Sequence, residues 1–147
     1  MTWRAVATLP VARSSPLLRL EGGDLYVLSG TRHPAPGDPY ATENLADGYR
    51  IALASGSVTR LSFAGPLPAV TAAAWAGLDL PSGYVVVSPE PYGVEVFAAT
   101  FAGDSVTWTR TTACEESRAF GWGPGVVDPT TGRGYILGTA VWEVRSP

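Results

Sequence analysis

Short apolar runs, broken every few residues by glycine or proline, extend along the whole chain. The 17 glycines and 13 prolines separate segments rich in Val, Tyr, Thr, Trp and Leu. Residues 49–53 and 94–98 alternate bulky apolar side chains with smaller or polar ones, which is the period of a strand with unequal faces. The best apolar run, residues 69–76, lacks the length and the 3.6-residue period of a helix. The pattern therefore predicts many short strands and an all-β protein.

One hairpin pattern recurs three times along the sequence. It consists of a strand, a glycine-bearing turn and a second strand that opens with a tyrosine, at Tyr26, Tyr84 and Tyr135. The tyrosines lie about 50–60 residues apart, near the period of four-stranded propeller blades. In addition, the Ser-Val-Thr of residues 57–59 recurs at residues 105–107. The sequence thus predicts about three copies of one four-strand unit.

The predicted repeat units cover about residues 11–63, 68–111 and 119–145 of a single domain, residues 1–147. Strands are expected near 17–20, 25–29, 49–54 and 57–63, then 72–78, 83–88, 94–101 and 105–111, then 124–127, 134–139 and 140–145. The third unit lacks a fourth strand. Residues 2–8 resemble the last strand of the second unit and are expected to supply it, because pairing the two terminal edges removes an aggregation template.

Most of the chain, about three blade equivalents, resembles kelch-type β-propeller repeats. The resemblance rests on Trp3, on Leu9-Pro10, on Arg13 before a strand, and on the Gly-Gly-Asp-Leu-Tyr-Val-Leu-Ser-Gly of residues 22–30. It implies four-stranded blades around a central axis. Propellers have four to eight blades, so a chain with three is expected to close its ring by oligomerisation, for example as a six-bladed homodimer. A β-sandwich is the alternative.

Composition narrows the classes of partner and site. Charged residues make up only 16% of the chain, and hydrophobic residues 46%, which favours surface shared with a partner. A net charge of −3 and the absence of any run of basic residues disfavour nucleic-acid binding. One histidine and one cysteine cannot form a structural metal site, and no cofactor is expected. Without a signal-peptide core or a membrane-length apolar stretch, we expect a cytoplasmic or particle-associated protein that binds no membrane.

One loop face is the expected binding surface. In a propeller, the connections between successive units share a face with the connections between second and third strands; the longest of these here is residues 31–48. A tryptophan between two glycines, close to an arginine and a glutamate, can hold a sugar or peptide by stacking and charged hydrogen bonds. The candidate ligand-binding residues are Arg32, His33, Tyr40, Tyr92, Glu116, Arg118 and Trp122.

These features together predict a non-enzymatic binding or assembly module that meets a ligand, such as a carbohydrate, or a protein partner through the loop face. His33 is the only imidazole, and no Gly-x-Ser-x-Gly elbow accompanies it, so no catalytic residue is assigned. The first alternative is a structural subunit of a viral particle or larger complex. The second is a glycoside-processing enzyme that uses an acidic side chain such as Glu116.

Overall fold

The computed structural model describes residues 2–33, 42–65, 76–81, 83–90, 93–114, 125–137 and 141–144. Within these ranges the regular structure consists of strands alone, and no helix is present. The strands are β1 (Leu17–Glu21), β2 (Asp24–Leu28), β3 (Thr31–Arg32), β4 (Glu43–Asn44), β5 (Gly48–Ala52), β6 (Ser57–Arg60), β7 (Ser62–Ala64), β8 (Ala76–Leu80), β9 (Gly83–Glu90), β10 (Gly93–Ala102), β11 (Ser105–Cys114), β12 (Gly125–Val127), β13 (Gly134–Leu137) and β14 (Val141–Val144). The predicted all-β class is confirmed.

The chain divides into two compact units, Met1–Ser62 and Phe63–Pro147, here called unit 1 and unit 2. Unit 1 contains a four-stranded antiparallel sheet in the order β1-β2-β5-β6. Its first hairpin turns through Gly22 and Gly23, whose φ angles are +59° and +87°. Two successive positive φ angles are what a two-residue hairpin turn requires, so this Gly-Gly pair fixes the register of β1 and β2.

Both faces of the first sheet contain buried side chains. Leu17 and Leu28 are paired across β1 and β2 on one face, and both are buried. Val27 and Tyr49 are paired across β2 and β5 on the other face, and they too are buried. Central strands that bury both faces read as nearly continuous apolar runs, as the Leu-Tyr-Val-Leu of residues 25–28 does.

Unit 2 contains a five-stranded sheet in the order β7-β11-β10-β9-β8. Between β10 and β11 the register places Ala99 opposite Trp108 and Phe101 opposite Val106. One face of this pair is therefore apolar, and its buried members are Phe97, Ala99, Val106 and Trp108. The opposite face carries exposed threonines. A half-buried antiparallel sheet produces this alternation.

A three-stranded sheet, β12-β13-β14, completes unit 2 and packs against β8. A Cβ atom at Gly125 would lie 2.6 Å from Leu78 Cδ2, and one at Gly134 would lie 2.9 Å from Leu80 Cδ2. Leu78 and Leu80 are both buried. The two glycines thus let the third sheet approach the apolar side chains of β8 closely.

The strands lie near the predicted positions, with three differences. The predicted strand over 57–63 is broken into β6 and β7, and β7 joins the second sheet. The predicted loop over 31–48 contains the short β3–β4 ladder. Residues 2–9 form no strand within the chain. Residues 72–75, 124, 138–140 and 145 of the predicted strands lie outside the described residues.

The described sheets are open and antiparallel, and none closes on itself into a ring or barrel. Ring closure by a second copy, and completion of the third sheet by residues 2–8, therefore stay predictions. In the part of the chain that the structure describes, no helix is long and apolar enough to cross a membrane.

Candidate functional site

Of the seven candidate ligand-binding residues, Arg32 and His33 belong to the described part of the chain. The other five lie outside the described residues: Tyr40, Tyr92, Glu116, Arg118 and Trp122. The site that can be built from the structure is therefore the one around Arg32 and His33 in unit 1.

Arg32 is the last residue of β3, and it pairs across the ladder with Glu43 of β4. Its Nη2 lies 2.7 Å from Glu43 Oε2, and its Nε donates a hydrogen bond of 2.8 Å to the same oxygen. Both side chains are exposed, so the ion pair contributes at most about 1 kcal/mol. Its role is local, since it joins the two ends of the segment between β3 and β4.

The segment before β1 lies beside β3 and leaves a cavity between them. Ser14 N–H donates to Thr31 O at 2.7 Å, and Thr31 N–H donates to Ser14 O at 2.9 Å. This two-bond bridge holds residues 10–14 next to residues 31–33, and together they line an open cavity of about 480 Å³. Its volume falls within the ordinary range of small-molecule sites.

Arg13 is the buried cation of this region. Its side chain is only 1% exposed, and Nη1 lies 3.1 Å from Asp47 Oδ1. The same nitrogen donates a hydrogen bond of 2.8 Å to Ser29 O. The guanidinium lies 5.0 Å from the centroid of the Tyr49 ring, at cation–π distance. An arginine suits this place because its flat group stacks on the ring while its edge bonds to oxygens.

The other edge of the Arg13 guanidinium has no partner. Nε and Nη2 are buried and make no hydrogen bond in the described structure, although Arg13 lines the cavity. These two nitrogens form the side-on fork that binds a carboxylate through two parallel hydrogen bonds. A buried donor without an acceptor costs about 1–3 kcal/mol, and buried polar groups are therefore nearly always paired.

The electrostatics of Asp47 and Tyr49 follow from this cluster. Burial by itself would raise the pKa of Asp47, but hydrogen bonds from Arg13 and Tyr49 and the Arg13 charge hold this pKa below the usual 3.8. Burial, followed by the hydrogen bond to Asp47, raises the pKa of the Tyr49 phenol above 10.0. Asp47 is thus a carboxylate and Tyr49 a neutral donor at neutral pH, and neither has the shift expected of a general acid or base near pH 7.

Ser29 and Gly30 form the turn that brings the backbone to Arg13. Ser29 has a φ of +56°, which is uncommon for a residue with a side chain, and Gly30 has a φ of +99°. Ser29 N–H donates to Asp47 O at 2.9 Å, and its carbonyl accepts the bond from Arg13. The main chain and the ion pair thus hold each other in place.

Replacing Gly30 with alanine is expected to destabilise unit 1 by about 2 kcal/mol. The new Cβ would meet the Ser14 carbonyl oxygen at 2.7 Å and would also occupy a positive φ. Gly22→Ala is the matched control, since it has a positive φ but nothing within 4 Å, and about 1 kcal/mol is expected there. Urea unfolding followed by circular dichroism compares the two variants, and equal losses would show that the contact with Ser14 is not limiting.

Sequence reasoning included Arg13 only as a repeat feature and did not single out Asp47 or Tyr49. Only weak features of the sequence point to a buried ion pair here: Arg13 follows the apolar pair Val11-Ala12, and Asp47 comes just before a predicted strand. The ion pair joins residues far apart in sequence, and the Ser14–Thr31 bridge, the hydrogen bonds of Ser29 and the strand register bring them together.

The region around Arg13 and Arg32 combines open space with hydrogen-bond donors. Among the described residues, no group of three His, Cys, Asp or Glu side chains could hold a metal ion. What the region offers is an open cavity, two arginines and a histidine in its lining, and an unused pair of donors on Arg13. Comparisons with protein-family models, with curated proteins and with solved structures find no match to this chain.

Proposed function

We propose that this chain is a non-enzymatic binding and assembly module of the propeller type, completed by a second copy of itself. The observation on which the proposal rests is the number of strands in successive sheets. The first sheet has the four strands β1, β2, β5 and β6 in sequence order. The second has the four strands β8 to β11 in sequence order, with β7 added beside β11, and the described part of the third has three. A module of repeated four-stranded sheets would therefore lack one strand next to β14.

The N-terminal segment is the proposed missing strand. Residues 2–9 form no strand in the chain, and Trp3 is 92% exposed. A tryptophan so exposed in a single chain is a good candidate for burial in an assembly. Residues 2–4, Thr-Trp-Arg, resemble Thr107-Trp108-Thr109-Arg110 of β11, where Trp108 is buried against the sheet.

Contacts within unit 2 also support blade-type packing. β8 and β12 are edge strands of the second and third sheets, each the start of a run of sequential strands, and they pack against each other through Leu78 and Gly125. Close packing between the first strands of successive sheets is what a propeller needs around its axis. Two chains related by a twofold axis would then supply six such sheets, and each N-terminal segment would pair with the other chain's β14.

Solution mass tests the assembly. We expect the full chain to be a dimer by light scattering, and a chain lacking residues 1–9 to dissociate or aggregate, because β14 would keep an unpaired edge. Trp3→Ser should weaken the dimer, whereas Ala54→Ser is the control, since Ala54 is exposed in the turn between β5 and β6. A monomer in every case would contradict the assembly, and a mass well beyond a dimer would favour a structural subunit of a larger particle.

A further inference from the structure

The unused edge of Arg13 specifies the chemistry of its missing acceptor. Nη1 is already engaged by Asp47 and Ser29, so the guanidinium is fixed in place by its opposite edge and by the Tyr49 ring. The free pair, Nε and Nη2, therefore presents two donors in a preset direction. Two oxygens on one carbon match such a pair, because both hydrogen bonds are then parallel.

Charges around the cavity favour a ligand with a single negative charge. Arg13 is paired with Asp47, and Arg32 is paired with Glu43, so these four groups sum to zero. A doubly charged phosphate would bring two charges to a region without net positive charge. A carboxylate brings one charge, and the two strong hydrogen bonds from Arg13 would compensate it.

We propose that the cavity lined by residues 10–14 and 31–33 binds the carboxylate group of a small ligand, such as an acidic sugar or an acidic amino acid, on the Nε–Nη2 edge of Arg13. The cavity of about 480 Å³ has room for a ligand of that size. Pro10 and Ala12 are exposed and Val11 is half-buried, so the cavity wall next to Arg13 in sequence is accessible to a ligand. The inference rests on the proposed binding function and adds the class of ligand.

Nuclear magnetic resonance of the ¹⁵N-labelled full chain tests the proposal directly on the Arg13 Nε–H signal. The protein is titrated with sodium glucuronate, sodium glutamate and sodium acetate at constant ionic strength. Glucose, the uncharged analogue of glucuronate, is the control. The Arg13 signal is expected to shift in a saturable manner with at least one carboxylate and to stay in place with glucose. The Nε–H of Arg133 serves as the internal control, because its side chain is 56% exposed in unit 2.

The titrations also distinguish the two sources of the carboxylate. A response to glucuronate alone supports an acidic sugar, and a response to glutamate or acetate supports recognition of the carboxylate group itself. The proposal is overturned if no carboxylate moves the signal or if glucose or sodium chloride moves it equally. It is also overturned if inorganic phosphate at the same concentration binds more tightly than every carboxylate.

Arg13→Lys tests the fork, because lysine keeps the charge but lacks two parallel donors. Binding of the responding carboxylate is expected to weaken by roughly tenfold or more. Arg133→Lys is the matched control and should leave the affinity unchanged. If Arg13→Lys does not fold, the unmutated Nε–H titration still decides the outcome.

Failure of this inference and failure of the proposed assembly are separable. The Arg13 signal is read within unit 1, and it can be followed in a monomer as well as in a dimer. If the protein is a monomer and its Arg13 signal responds to carboxylates, the proposed ligand class is supported and the proposed assembly is contradicted. If the protein is a dimer and the signal does not respond, the assembly is supported and the ligand class is contradicted.

Discussion

Phe97→Ala is expected to lower the free energy of unfolding of unit 2 by about 3–5 kcal/mol, the usual cost of removing a buried phenylalanine from a core. Phe97 is 2% exposed and lies in the central strand β10 of the five-stranded sheet. It shares its face with buried Ala99 and Trp108. Truncation would leave a cavity that small neighbours such as Ala99 cannot fill, because the sheet hydrogen bonds hold the backbone in place.

Urea unfolding followed by Trp fluorescence measures this loss, since Trp108 is buried on the same face. Thr100→Ala is the matched control, because Thr100 is exposed on the opposite face of the same strand, and it should change stability by no more than about 0.5 kcal/mol. A loss below about 1 kcal/mol for Phe97→Ala would mean that the core of unit 2 repacks or is not formed in solution.

Asp47→Ala is expected to destabilise unit 1 by about 2–4 kcal/mol, because it leaves the Arg13 guanidinium buried without a counter-charge. Removing one partner of a fully buried pair costs roughly 3–5 kcal/mol, and the 17% exposure of the Asp47 side chain reduces this range. Glu43→Ala breaks the exposed pair with Arg32 and is the matched control, for which at most about 1 kcal/mol is expected. Hydrogen exchange of unit 1 amides and urea unfolding measure both variants. Equal losses of stability in Asp47→Ala and Glu43→Ala would contradict the burial of the Arg13 guanidinium.

The Asp47 effect depends on pH in a defined direction. The folded-state pKa of Asp47 lies below its ordinary value, so the unfolded chain takes up the proton first as pH falls. The stability that Asp47 contributes is therefore fully present above the unfolded pKa of about 4 and is lost as pH falls through the lowered folded value. The difference between the wild type and Asp47→Ala should shrink below about pH 4. A difference that grows on acidification would contradict this assignment.

Local features of the sequence were sufficient to predict most strands. Gly22-Gly23 marks a tight turn, and the apolar residues around Tyr26 leave few alternatives to a strand. The break between β6 and β7 was not predictable in this way. Leu61 separates the two strands, is buried, and donates its N–H to Gly48 O at 2.9 Å. No glycine or proline marks the break; from Ser62 onward the chain leaves the β5–β6 ladder and pairs with β11, a partner distant in sequence.

The candidate site shows the same division between local and long-range information. The long segment after β3 and its charged residues were visible in the sequence, and Arg32 and His33 do line the cavity. The unpaired Nε–Nη2 edge of Arg13 was not visible in the sequence. It depends on which nitrogens of the guanidinium Asp47 and Ser29 contact, and which they leave without an acceptor. That information is contained in side-chain geometry, and residue types in a pattern do not encode it.

The order of strands within each sheet has a consequence for how the protein folds. Successive strands of the first sheet, apart from the β3–β4 excursion, are neighbours in space as well as in sequence. Short turns such as Gly22-Gly23 close hairpins on a timescale of about 1–10 μs, without searching for distant partners. The β2–β5 pairing brings Asp24 next to Ala52, which is much farther along the chain, so we expect it to form after the β1–β2 hairpin. We therefore expect the first sheet to grow outward from the Gly22-Gly23 turn.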